Sequence, residues 1–275
     1  MIPSLNNKIV FITGGSSGIG LETAKAFSAD GAHVVIFARN RERLEAGLRE
    51  IQAAGPSNPG RSGFFVLDVS NREAVGTVIE AAVKEFGVPD ILINNAGRAY
   101  PGKFEDISCR QFDETMKINL YGTWNTCSVL VPLMKERGGA IVNVSSIAGF
   151  LGIYGYTDYC ASKFAIIGFS EALRQELSAC NISVHVVCPP DTDTPGLKNE
   201  NATKPDETKA ISAGAKLMKP AEVAKAIVAG IKKGSFFIKP GFDGKLTHFL
   251  KRHLPSLVDY MVNRSIKKVV DKQDA

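Results

Sequence analysis

Thr13-Gly14-Gly15-Ser16-Ser17-Gly18-Ile19-Gly20 follows an apolar run at 9–13 and leads into Leu21-Glu22-Thr23-Ala24-Lys25-Ala26, a segment of good helix formers. Strand, glycine-rich turn, helix is an order with a physical purpose. Glycines let the backbone turn sharply and come close to a pyrophosphate, while the helix N-terminus offers unpaired N–H groups and a positive dipole. The spacing here is T-G-x-x-x-G-x-G rather than the commoner dinucleotide G-x-G-x-x-G. Outward from this turn the same rhythm repeats. Further strand candidates lie at 33–37, 64–67, 91–94, 140–144, 183–187 and 236–239, with helical periods between most of them. Several are apolar throughout, as strands are when helices cover both faces of a parallel sheet. The pattern predicts an α/β fold with a doubly wound parallel sheet.

At 275 residues the chain fits one large domain, and 44% hydrophobic with 22% charged residues reads as globular. Its five cysteines are scattered, with no C-x-x-C spacing, which argues against a disulfide framework and a zinc site and for a reducing compartment. The polar start, running at once into a strand, leaves no room for a signal peptide, and no apolar run approaches the ~18 residues of a transmembrane helix. A cytoplasmic location is expected. The net charge of +5 is concentrated late: from Lys239 onward eight Lys and Arg face four Asp.

Two segments break the rhythm. Residues 189–219 form a long connection rich in Pro, Thr, Asn, Asp and Lys after a strand end, where a substrate lid is expected. Residues 241–275 carry apolar side chains at three- and four-residue steps, with Pro255 predicted to split them into two helices. Residues 1–240 are thus read as one α/β domain and 241–275 as a basic amphipathic tail.

The second strand ends in Ala38-Arg39-Asn40-Arg41-Glu42-Arg43, with no acid to meet a ribose 2′-hydroxyl. Arg39 and Arg43, helped by Ser16, are suited to a 2′-phosphate, so the cofactor expected is NADP(H); Arg41 is read as part of a solvated helix face. Asp68-Val69 closes the third strand, where adenine would lie, and Asn95-Ala96-Gly97 closes the fourth, at the crevice of such a sheet. Gly14, Ser17, Gly18, Ile19 and Gly20 complete the nucleotide-binding set.

Tyr159-Cys160-Ala161-Ser162-Lys163 puts a phenol and an amine four residues apart, on one face of a helix. A neighbouring ammonium is expected to favour the phenolate and so to lower the tyrosine pKa. Ser145-Ser146 closes the fifth strand 13 residues earlier, and Asn119 lies on a predicted helix, where it serves a relay or simply kinks the helix. Ser145 is the alternative to Ser146, and Tyr154 and Tyr156 are expected to line the pocket.

Together these strings resemble the short-chain dehydrogenase/reductase family over residues 6–240, in the order T-G-x-x-x-G-x-G, Asn95-Ala96-Gly97, Asn119, Ser146, Tyr159-x-x-x-Lys163. The resemblance implies a Rossmann-type sheet of about seven strands, a dimer or tetramer, no metal, and a catalytic tetrad. In it Ser146 polarises a substrate oxygen, Tyr159 gives that oxygen a proton, Lys163 tunes the tyrosine and holds the nicotinamide ribose, and Asn119 positions a relay water. The family's Pro-Gly-x-x-x-Thr after the sixth strand is replaced by Pro189-Pro190-Asp191-Thr192-Asp193-Thr194-Pro195, which stiffens the turn; Pro189 and either Thr192 or Thr194 would meet the nicotinamide. That string, with Thr203-Lys204-Pro205, resembles the 3-ketodihydrosphingosine reductase branch. The branch implies a lipophilic ketone substrate, with steroid, retinoid or 3-ketoacyl ketones as alternatives and a non-catalytic NADP(H) sensor as a third reading. The basic tail suits the surface of an anionic membrane, or else packs on the domain or its pocket. Nucleic acid is not an expected partner, since the charge comes without aromatic interleaving.

Overall fold

The computed structural model describes residues 4–56, 60–213 and 216–273. β1 (Ile9–Thr13), β2 (His33–Ala38), β3 (Ser62–Val66), β4 (Ile91–Asn94), β5 (Gly139–Val144), β6 (Ile182–Val187) and β7 (Phe237–Ile238) form one sheet. Every pairing is parallel and the spatial order is β3-β2-β1-β4-β5-β6-β7. The expected strands are all present, displaced by at most two residues at their ends. The order reverses between β1 and β4, which makes the carboxyl ends of these two strands the place for a ligand crevice.

Alternation along each strand feeds two cores. Val10, Ile12, Val34, Ile36, Ile91 and Ile93 point to one face, where α1 (Gly18–Ala29), α2 (Arg41–Ala54) and α9 (Pro220–Lys233) add Phe27, Leu44, Ile51 and Ile227. Phe11, Val35, Phe37, Leu92 and Ile141 point to the other, against α3 (Arg72–Phe86) and α5 (Gly122–Met134). Fully burying each such side chain is worth ~1.5–3 kcal/mol, which is why both faces of these strands are apolar. A polar ladder interrupts the second core. Thr126 Oγ1 donates to Asn94 Oδ1 (2.6 Å), Asn94 Nδ2 donates to Asn143 Oδ1 (2.9 Å), and Asn143 Nδ2 donates to Ser170 Oγ (2.9 Å). It joins α5, β4, β5 and α6 (Thr157–Glu176), and because each amide has partners the burial is tolerable.

Between α4 (Cys109–Met116) and α5 the helix widens into a π-turn over Lys117–Tyr121, with Asn119 at its middle. Such bulges recur at functional sites. The 189–219 connection is built rather than open: it holds α7 (Pro195–Asn201) and α8 (Asp206–Ser212), and a parallel bridge joins Thr192 to Met218. Beyond β7 lie α10 (Gly241–His253) and α11 (Pro255–Gln273), divided at Pro255 as expected. α11, on which Val258 is buried, packs on α8, so the tail supports the 189–219 connection. Phe242, Phe249, Tyr260 and Met261 remain exposed. No helix among the described residues is long and apolar enough to cross a membrane.

Two glycines give opposite expectations. A side-chain carbon on Gly20 would collide with the Gly14 carbonyl oxygen and lie 2.5 Å from Asn95 Nδ2, whereas one on Gly76, within α3, meets nothing within 4 Å. Gly20→Ala is therefore expected to cost about 1–3 kcal/mol or more, and Gly76→Ala to gain about 0.5–1 kcal/mol. Urea unfolding of the two variants checks both signs.

Candidate active site

The turn after β1 is held open by its own sequence. Gly14 and Gly18 have φ of +65° and +55°, conformations that a side chain would strain. Asn95, just past β4, clamps the turn from below: its Nδ2 donates to the carbonyls of Thr13 (3.2 Å) and Gly14 (3.1 Å). The Thr13 hydroxyl accepts the backbone N–H groups of Asn95 and Ala96, both at 3.1 Å. The two strand ends at the reversal point are thus stitched together, and the first turn of α1, which carries no acidic residue, faces the crevice.

A cavity of about 470 Å³ runs along this crevice. Its walls include Gly14, Ser16, Ser17, Gly18, Ile19, Arg39, Arg43, Asp68, Val69, Asn95 and Ala96 toward one end, and Ser146, Tyr159, Lys163, Pro189 and Thr192 toward the other, with Gly97 beside Lys163. Gly20 and Asn119 lie behind the wall. Arg39 and Arg43 form no ion pair among the described residues, and Asn40 caps α2 by accepting from Arg43 N (2.8 Å). Asp68 spends one oxygen on Ser70, accepting from its N (2.9 Å) and Oγ (2.7 Å), which shapes the turn after β3. The positive-φ glycines, the acid-free helix start and two unpaired arginines fit a phosphorylated dinucleotide.

At the far end three elements converge. Ser146 lies two residues past β5, where it accepts from Ala148 N (3.1 Å) and turns its hydroxyl toward the Tyr159 phenol. Ser145 is buried and donates to the Lys163 carbonyl (2.9 Å), a structural role that removes it as the alternative. Tyr159 and Lys163 share one face of α6, with Nζ 5.6 Å from the ring centroid. That ammonium is buried and donates to the Val144 carbonyl (2.9 Å), pinning α6 to the end of β5. Both donors of Asn119 are committed: Nδ2 donates to Arg98 O (3.0 Å) and Ser162 Oγ (2.9 Å), and Oδ1 accepts from Arg98 N (2.8 Å). A side-chain carbon on Gly97 would sit 3.3 Å from Asn119 Oδ1 and 3.5 Å from Lys163 Nζ, so these three residues meet closely at the cavity wall.

A family model described as short chain dehydrogenase matches residues 8–205. The chain belongs to the short-chain dehydrogenase/reductase family. Among curated relatives, 3-ketodihydrosphingosine reductase of Bos taurus is 42% identical over 237 residues, covering 86% of this chain and 71% of the relative. The enzyme of the same name from Dictyostelium discoideum is 40% identical over 249 residues, covering 85% and 75%. The LigD apo crystal structure from Sphingobium sp. strain SYK-6 superposes with a TM-score of 0.77 at 29% identity, over 93% of this chain and 98% of that one. An alcohol dehydrogenase from the archaeon Thermococcus sibiricus, complexed with 5-hydroxy-NADP, gives 0.71 at 28% identity, over 82% and 90%.

Three expectations for this short-chain dehydrogenase/reductase site change on the structure. The first is that Lys163 lowers the tyrosine pKa. Burial pushes the Tyr159 phenol up, the negative charge of Glu200 adds to it, and Ser146, which faces the phenol, pulls the other way. The phenol is therefore held protonated, and Lys163 acts here as an anchor. The second concerns the lid threonines. Thr192 spends its hydroxyl on Pro190 O (2.7 Å), while Thr194 caps α7 and its methyl would lie 3.0 Å from a carbon on Gly18, so Thr194 is the one against the glycine turn. The third is Tyr154. It does not line the cavity but donates to Glu207 of α8 (3.2 Å), whereas Tyr156 does line it and donates to Glu200 of α7 (2.8 Å). Glu200 itself was not anticipated, because its distance from Tyr159 along the chain carries no local signal.

Burial draws the Lys163 pKa from 10.5 down to about 8. Below that pH both folded and unfolded chains hold the proton and the burial cost is fully present. Between about 8 and 10.5 the unfolded chain binds more, so stability rises with pH across that window. Urea stability of the unmodified protein relative to Lys163→Met is expected to increase from about pH 8 to about pH 10; a flat difference would contradict a buried ammonium.

Proposed function

We propose that this short-chain dehydrogenase/reductase reduces the 3-keto group of 3-ketosphinganine to sphinganine with NADPH. The observation that carries the chemistry is the meeting of Ser146, Tyr159 and Lys163 at one end of a cavity whose other end carries Arg39 and Arg43. The substrate rests on the curated relatives, five of which, at 39–42% identity, are named 3-ketodihydrosphingosine or 3-dehydrosphinganine reductases. Bound NADPH would supply the hydride. Ser146 donates a hydrogen bond to the ketone oxygen and polarises it. Tyr159, kept protonated by its surroundings, gives that oxygen its proton as negative charge develops there. Lys163 fixes the helix that carries the phenol and offers its remaining N–H groups to the nicotinamide ribose. Asn119, with both donors committed, acts by positioning Arg98 and α6, and the second lone pair of its Oδ1 is what remains for a relay water.

The surface supports two further readings. Tyr121, Trp124 and Phe164 are exposed on the neighbouring helices around α5 and α6, an area suited to pairing with a second copy of the chain. The exposed Phe242, Phe249, Tyr260 and Met261 lie on helices that also carry Lys245, Lys251, Arg252, Arg264, Lys267 and Lys268, a combination suited to the surface of an anionic bilayer.

NADPH oxidation with 3-ketosphinganine should exceed that with steroid or 3-ketoacyl ketones; equal turnover of the others would sink the sphingoid assignment. Tyr159→Phe is expected to lose about 10²-fold or more in kcat while NADPH still quenches protein fluorescence. Arg39→Ala should raise KM for NADPH about tenfold more than KM for NADH, and an equal rise would remove Arg39 from the 2′-phosphate. Phe242→Glu together with Phe249→Glu should abolish co-sedimentation with anionic vesicles if the tail lies on them.

A further inference from the structure

We infer that Glu200 is the receptor for a cationic amine on the substrate carbon next to the reacting carbonyl. The inference rests on the amino ketone reading above and names what selects it. Glu200 ends α7 in the lid, half-buried, and lines the same cavity as Tyr159. One carboxylate oxygen accepts from the Tyr156 hydroxyl (2.8 Å), and the Tyr156 ring lies 5.6 Å from that of Tyr159. The nearby cation Lys204, itself buried, has its Nζ 3.7 Å from Asp191 Oδ2, and it and Lys163 reach Glu200 only at longer range, while burial pushes the Glu200 carboxyl above its ordinary range. Glu200 forms no ion pair among the described residues.

A carboxylate taken partly out of water without a directly paired cation is costly, and its natural complement is a positive ligand. Its charge also reaches the reacting groups, since it raises the pKa of both Tyr159 and Lys163. Glu200 therefore sits close to where the ketone oxygen is held. In an α-amino ketone the ammonium is one carbon from that carbonyl, within reach of a carboxylate placed beside the proton donor. A simple ketone brings no such charge and leaves Glu200 uncompensated. The pocket would thus discriminate by a missing partner rather than by shape, which is the stronger form of selectivity.

A purely mechanical role, latching α7 to Tyr156, makes a different prediction. Glu200→Gln keeps an oxygen to accept from the phenol and removes only the charge. The test compares kcat/KM for 3-ketosphinganine with that for its analogue carrying a hydroxyl in place of the amine, in mixed micelles at saturating NADPH. Glu200→Gln should lower the amine-to-hydroxyl ratio by about tenfold or more, chiefly through KM, and Glu200→Asp should retain most of the preference. A ratio that Glu200→Gln leaves within about twofold of the unmodified enzyme, or an equal loss on both ketones, overturns the inference alone. An unmodified enzyme that reduces neither ketone overturns the substrate reading and this inference with it. Inhibition of the unmodified enzyme needs no variant to fold: sphinganine should bind about tenfold or more tightly than the corresponding neutral diol, and equal inhibition counts against Glu200 as an amine receptor.

Discussion

The Lys163 ammonium, buried and bonded to the Val144 carbonyl, is the contact on which the site depends. It fastens the first turns of α6 to the end of β5, and so brings a phenol from a helix to a serine from a strand. Placing a charge there is costly, as the fall of its pKa to about 8 records. The cost is tolerated because Ser145 bonds back to the Lys163 carbonyl and the Asn94–Asn143–Ser170 ladder holds the same helix from below. Removing the lysine would thus loosen geometry as well as charge.

The second constraint is the stitched end of β1 and β4. A parallel sheet whose order reverses leaves a crevice there, and Thr13 with Asn95 keeps its two lips in register. Glycine is required at Gly14 by its backbone angle and at Gly20 by contact with the Gly14 carbonyl, so the turn is an arrangement of backbone rather than of side chains. The cavity follows this division: one end lies on the glycine turn at the sheet, and the other is lined by α7, while α8 of the same connection rests on α11.

Much of this was legible in the sequence because it is carried by local signals. Strands such as Ile9–Thr13 and Ile91–Asn94 are short apolar runs bounded by turn residues, and Tyr159 with Lys163 is a helical spacing. What could not be read depends on distant partners. Asn94 and Asn143 look like ordinary strand residues until their amides meet across β4 and β5. The direction of the Tyr159 shift was misjudged because sequence spacing shows the neighbouring lysine and not the burial or Glu200, which arrives from the lid. The 189–219 connection showed only turn-forming composition, yet Thr194 and Pro205 in it start two short helices.

The central claim is that the surroundings of Tyr159 keep it a proton donor throughout the neutral range. The pH dependence of kcat for ketone reduction tests it most directly. The account predicts a rate that is level from about pH 6 to about pH 8 and declines only above it, where Lys163 loses its charge while the phenol, held above its ordinary range, stays protonated. A rate that falls about tenfold per pH unit between about pH 6 and about pH 7 would contradict it, since the tyrosine would then be ionising where the structure holds it neutral.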